Sequence, residues 1–115
     1  MTSPADELRA AAEKLREHAH YATDGPWVAT PDILIGGWAV AQAPLKNPEG
    51  PYLADFVRDW DARYIALMDP GVGHALADWL DHHAHILTAA TQYDPDSNLA
   101  RPALKVARAL NGDAR

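Results

Sequence analysis

An acid followed by a proline stands at Asp69-Pro70, and no further proline occurs before Pro95. Proline disfavours helical geometry in the residue before it. It suits the first position of a helix, where its missing N–H costs nothing. One helix must therefore stop before Asp69 and another begin at Pro70, with Asp69 capping the free amides at the positive end of the dipole. The stretch that follows, DPGVGHALADWLDHHAHILTAA, runs from Asp69 to Ala90. At about 100° per residue it divides into two faces. Val72, Leu76, Trp79, Leu80, His83, Ile86, Leu87 and Ala90 are predicted to form the core face. His74, Asp78, Asp81, His82 and His85 lie on the other.

The remaining elements arrange themselves around this helix. Ser3-Pro4-Ala5-Asp6-Glu7 carries a cap, a first-turn proline and first-turn acids, and predicts a helix to about Tyr21 or Ala22. Its stripe of Leu8, Ala11, Ala12, Leu15, His18, Ala19 and Ala22 is rich in alanine, so another element can approach closely. His18 reads as a partly buried, hydrogen-bonded residue. Asp24-Gly25-Pro26 ends the helix. Trp27–Thr30, Ile33–Ile35 and Trp38–Ala43 are short β-prone runs between turn residues and predict a small antiparallel meander. Gly36-Gly37 suits a two-residue hairpin turn. Residues 44–51 hold three prolines and form a loop. Residues 52–57 fit either a strand or the start of a helix that is secure from Asp59 to Met68. A stripe of Leu53, Phe56, Val57, Trp60, Tyr64, Leu67 and Met68 is available there for packing. A loop at 92–98 precedes a last helix, Pro102–Leu110, stopped at Asn111-Gly112. The expected fold is α+β in a single domain over 1–115: an N-terminal helix, a meander of about three short strands, then two to three helices packed on it.

Charge narrows the function classes. The net charge is −6; residues 1–100 hold fifteen of the sixteen acids and six of the ten bases. An acidic surface repels phosphate backbones, so direct nucleic-acid binding is not expected. There is no cysteine, which excludes disulfides, thiolate metal sites and Cys nucleophiles. No apolar run approaches the ~20 residues of a membrane helix, and the polar start MTSPADELRA reads as no signal peptide. The expected compartment is the cytoplasm.

Three pieces occur in order: Ala22-Thr23-Asp24-Gly25-Pro26-Trp27, Asp61-Ala62-Arg63-Tyr64-Ile65-Ala66, and Pro70 opening a long helix. In this the chain resembles a group of small proteins of actinobacteria, their phages and integrated elements. These share a helix, a Gly-Pro-Trp turn, short strands, an Asp-Ala-x-aromatic-Ile-Ala helix and a Pro-started helix. The resemblance spans roughly Leu8 to Leu87 and implies an accessory protein of a mobile element, or a remnant of one. It carries no catalytic residues, and the histidines of the long helix are not part of the shared pattern.

The candidate chemistry lies on the polar face of the long helix. With Asp78 at zero, His82 falls near about 40°, His85 near about −20°, His74 near about −40° and Asp81 near about −60°. Asp78, His82 and His85, with His74 and Asp81 beside them, therefore make a strip on which imidazole and carboxylate can converge on zinc. His20 is a fourth ligand if the first helix lies alongside. The competing reading is a solvated polar face. Asp81–His85 and Asp78–His82 are also acid–base pairs, but the only serines are Ser3 and Ser97, so no nucleophile accompanies them. His83 falls within the apolar face and must find partners for its ring nitrogens. Gly71-Val72-Gly73 at a helix N-terminus is an anion site in its barest form. Trp27, Trp38 and Trp60 read as core and sheet-covering residues; two of them exposed together would mark a partner surface.

The expected function is a non-enzymatic, acidic binding or interaction protein of phage or mobile-element type, with a protein partner or a second copy of itself. The alternative is a metal- or small-molecule-binding protein that uses the His/Asp strip. A nucleotide held between sheet and helices is a third reading.

Overall fold

The computed structural model describes residues 2–34, 36–45, 50–89, 95–97 and 99–112, leaving aside the Phe56 side chain. The elements run α1 (Pro4–Tyr21), β1 (Trp27–Pro31), β2 (Trp38–Gln42), β3 (Ala54–Val57), α2 (Asp59–Leu67), α3 (Pro70–Ala89) and α4 (Arg101–Asn111). The fold is α+β, with a three-stranded antiparallel sheet in the order β1-β2-β3. The chain forms two compact units, Met1–His18 with His74–Arg115, and Ala19–Gly73.

Local chemistry sets the ends of the helices. The Ser3 hydroxyl accepts the Asp6 amide at 3.1 Å, and the Asp69 carboxylate accepts the Val72 amide at 3.2 Å, both as N-caps do. The Ser97 hydroxyl accepts the Ala100 amide at 3.2 Å just ahead of α4. Gly112, at φ 76°, closes α4 in the left-handed region, a conformation that glycine adopts without strain.

The helical unit has a core of unusual composition. Leu8, Ala11 and Ala12 of α1, Ala77, Leu80 and Ala84 of α3, and Ala103, Leu104 and Ala107 of α4 form one buried cluster. Each helix contributes one leucine and two alanines. Single methyl groups between helices let their axes approach, and the leucines fill what remains. This corrects the expected core face of α3. Ala77, Leu80 and Ala84 are its buried residues, while Trp79 is 36% exposed and Val72, Leu76, His83, Ile86 and Leu87 are only half-buried. The buried stripe lies roughly a quarter-turn or more from the centre of the bulky one. Ala90, which the bulky stripe included, lies outside the described residues.

In the other unit β1 and β2 pair from Trp27↔Gln42 to Pro31↔Trp38. Pro31 is acceptable on an edge strand. Trp38 pairs with Val57 and Val40 with Ala54, so β3 carries one extra residue there, a bulge. Residues 52–57 are thus resolved in favour of a strand from Ala54. Ala39, Val40 and Ala41 of the central strand are all buried. The sheet is covered by α2, which packs on β1 and β2 through buried Ala62 with Ile65 and Ala66 half-buried beside it.

Between β1 and β2 the expected strand at Ile33–Ile35 and two-residue turn at Gly36-Gly37 are both corrected. The Asp32 amide donates to Gly37 at 3.0 Å, the Gly36 amide donates back to Asp32 at 3.0 Å, and an Asp32 carboxylate oxygen accepts the Leu34 amide at 3.1 Å. The buried Asp32 side chain thereby folds Ile33 and Leu34 into a turn. Gly36 and Gly37 do take positive φ, 80° and 76°. Ile35, and residues 46–49, 90–94 and 98 of the expected loops, lie outside the described residues.

Candidate interaction surface

The nine residues of α2 carry two stripes. Ala62, Ile65 and Ala66 fall on one side, and Trp60, Tyr64 and Leu67 span about 60° of the opposite side. The sheet takes the small stripe. Trp60 is 76% exposed, Tyr64 65% and Leu67 68%, with Met68 beside them at 42%. This corrects the expectation that these residues pack inward and that Trp60 covers the sheet. Scattered exposed apolar residues are ordinary. Three large ones in a row on a single helix form a patch that demands an account.

The patch is held in place. The Arg63 guanidinium lies 5.1 Å from the ring centre of Trp38 and 4.9 Å from that of Trp60, a cation stacked on two indoles. The Asp59 carboxylate accepts the Arg63 Nε–H at 2.5 Å from one turn back. Trp60 is therefore braced although it is wet. Tryptophan, tyrosine and arginine are the residue types that dominate binding energy at protein interfaces.

The turn before β1 meets the start of α3 in the same unit. While Oδ1 of Asp69 caps Val72, its Oδ2 accepts the Trp27 amide at 3.4 Å. A Cβ on Gly25 would sit 3.1 Å from that Oδ2, so a side chain there would push the carboxylate by a few tenths of an ångström. Because the Asp69 carboxylate already accepts the Val72 amide here, an anion at Gly71-Val72-Gly73 would meet the chain's own carboxylate.

The His/Asp strip of α3 lies within reach of Arg16 of α1. Arg16 of α1 donates from its Nη1 to Asp81 and from its Nη2 to Asp78, the latter at 2.9 Å. Asp78 first, and Asp81 next, hold the guanidinium even more firmly protonated than usual. Both carboxylates of the strip are thus engaged by a cation of the chain itself. His74, His82 and His85 are exposed. Among the described residues no group of three His, Cys, Asp or Glu side chains is arranged to hold a metal ion. His20 belongs to the other unit and stacks edge-on against Tyr21 at 4.9 Å. His18 is exposed rather than part-buried, its Nδ1–H donating to the Lys14 carbonyl at 2.8 Å.

His83 is half-buried, and its Nδ1 is buried without a partner among the described residues. Its ring meets Trp79 edge-on at 5.2 Å and His82 at 5.9 Å. Burial, and then the neighbouring His82, push its pKa below the usual histidine value.

No helix among the described residues is long and apolar enough to cross a membrane. Comparison with protein-family models, curated proteins and solved structures finds no match to the chain.

Proposed function

We propose that this protein is a non-enzymatic interaction module that docks a protein partner through the outer face of α2. One observation carries the reading: Trp60, Tyr64 and Leu67 are all more than three-fifths exposed on one helix face, while Arg63 braces Trp60 through its ring. Exposing such a stripe costs solubility, and the Arg63 that ties α2 to Trp38 of the sheet also fixes the exposed indole. Both make sense where the indole's position matters to something outside the chain. The acidity of the chain, net −6, supports a protein rather than a nucleic acid as that partner. The resemblance of the Gly-Pro-Trp turn, the Asp61–Ala66 helix and the Pro70 start to small proteins of actinobacteria and their phages supports an accessory role in a mobile element, exercised in the cytoplasm.

The test is affinity purification from native cells of the intact chain beside a Trp60→Ala/Tyr64→Ala variant, both first shown by circular dichroism to have the same fold and melting temperature. A partner retained by the native chain and lost from the variant supports the reading. Equal recovery by both chains, or recovery by neither, overturns it.

A further inference from the structure

We infer that α2 is itself the ligand in this interaction, a short helix that inserts Trp60, Tyr64 and Leu67 into an apolar groove on a partner whose rim is basic opposite Asp61. This rests on the docking reading above and goes on to name the partner's chemistry. The spacing is the first argument. Residues at i, i+4 and i+7 are the anchors by which an amphipathic helix is read by a groove, and the three span about 10.5 Å of helix axis. Exposure of 76%, 65% and 68% makes them knobs standing off the surface rather than the lining of a cleft.

Area decides between a groove and a second copy. An aromatic side chain offers about 150–250 Å², so complete burial of all three anchors stays below the ~800 Å² per partner of a stable interface. A second copy that met this stripe with its own would bury little beyond the same anchors. A groove gains the missing area by closing on both flanks, and the flanks then specify its charge. On one side Arg63 is already satisfied by Asp59 and stacked on Trp38. On the other, exposed Asp61 has no ion pair among the described residues, and Asp55 is exposed on the preceding strand. A wall that meets Asp61 must supply a lysine or arginine, or leave a carboxylate desolvated and unpaired.

The experiment places p-benzoylphenylalanine at Met68, beside the anchors but not one of them, in the full chain in its native cells, with control probes at Ile33 and Trp79. The protein crosslinked from position 68 is identified, its crosslinked peptide mapped, and its purified form titrated with the native chain and with single variants. The expected result is a crosslink into an apolar groove, with affinity lowered about 30-fold or more by Trp60→Ala and by Leu67→Ala. Asp61→Lys, once shown by circular dichroism to keep the native fold, lowers affinity several-fold, and more at low salt than at high salt. A crosslink from position 68 to a second copy of the chain overturns the groove. So does a partner whose affinity ignores Trp60 and Leu67 but which crosslinks from Ile33 or Trp79; that outcome removes docking through α2 as well, whereas a crosslink from position 68 to a second copy leaves docking through α2 standing and removes only the groove. No crosslink from any of the three positions removes the docking reading itself.

Discussion

The main-chain N–H of Trp27 donates to Oδ2 of Asp69, 42 residues further along the chain, at 3.4 Å. The other oxygen of the same carboxylate caps Val72 at 3.2 Å. One side chain thus fixes both the entry to the sheet and the start of α3. Asp69→Ala should lower stability by about 1–2 kcal/mol, the range for losing a helix cap, and Asp69→Asn by less, since an amide oxygen still accepts. Gly25→Ala should also destabilise, because its methyl would meet Oδ2 at 3.1 Å. In an Asp69→Ala background most of that cost should vanish. A double-mutant cycle in urea measures the coupling.

The helical core predicts unequal costs for changes at neighbouring residues of α3. Leu80→Ala should cost about 2–5 kcal/mol, as truncation of a fully buried leucine does. Ala77→Leu or Ala11→Leu should cost about 1–3 kcal/mol through overpacking. Trp79→Ala, although it removes the larger side chain, should cost less than Leu80→Ala, because Trp79 is 36% exposed. Thermal or denaturant unfolding of the four variants checks the order.

His83 gives stability a pH dependence whose sign follows from its depressed pKa. Above its ordinary pKa of about 6.5, His83 is neutral in both folded and unfolded chains and contributes nothing. As pH falls below that value the unfolded chain takes up the proton first. Stability then declines until the lower pKa of the folded protein has been passed, and stays level below it. The melting temperature should therefore be lower at pH 5 than at pH 7.5. His83→Leu should reduce that difference by removing the titrating ring together with its unpartnered nitrogen. His82→Ala should reduce it in part, since His82 is the second cause of the shift.

Arg16 predicts the response to zinc. A cation approaching Asp78 and Asp81 must displace a guanidinium that holds both. Calorimetric titration of the native chain with Zn²⁺ at micromolar protein should show no binding heat, and His82→Ala/His85→Ala should leave fold and melting temperature unchanged. Arg16→Gln should cost no more than about 1 kcal/mol, because the Arg16 and Asp78 side chains are 40% and 78% exposed and surface pairs of this kind are worth little.

The ends of the elements were legible in the sequence, because caps and stops are local chemistry. Ser3, Asp69-Pro70 and Gly112 act at the positions their residue types announce. The inward face of α1 was legible too, since Leu8, Ala11 and Ala12 of its expected stripe are buried; those of α2 and α3 were not. Periodicity gives weight to bulk, and it placed the α3 core on the side of Trp79 and His83. The helices instead select the alanines that let them close up, at Ala77 and Ala84. On α2 the same weighting hid the interaction surface: Trp60, Tyr64 and Leu67 look like core until the second stripe, Ala62-Ile65-Ala66, is seen to be the one the sheet takes. That second stripe was the available signal, since a helix with two apolar sides has one to spare. The histidine strip was read correctly as a polar face, but the arginine that claims its acids comes from α1, 62 and 65 residues away, and no spacing rule reaches that far. Ile33 and Leu34 failed as a strand because a single carboxylate, Asp32, pulls the backbone into a turn.

Six of the nine clustered side chains in the helical unit are alanine, and this governs how the sequence can drift. A methyl has almost nothing to lose and, between closely set helices, almost nowhere to grow. Exchange at Ala11, Ala12, Ala77, Ala84, Ala103 and Ala107 should therefore favour other small residues, glycine and serine first. Descendants of this chain would keep a barcode of small residues at those six places long after their large ones had diverged.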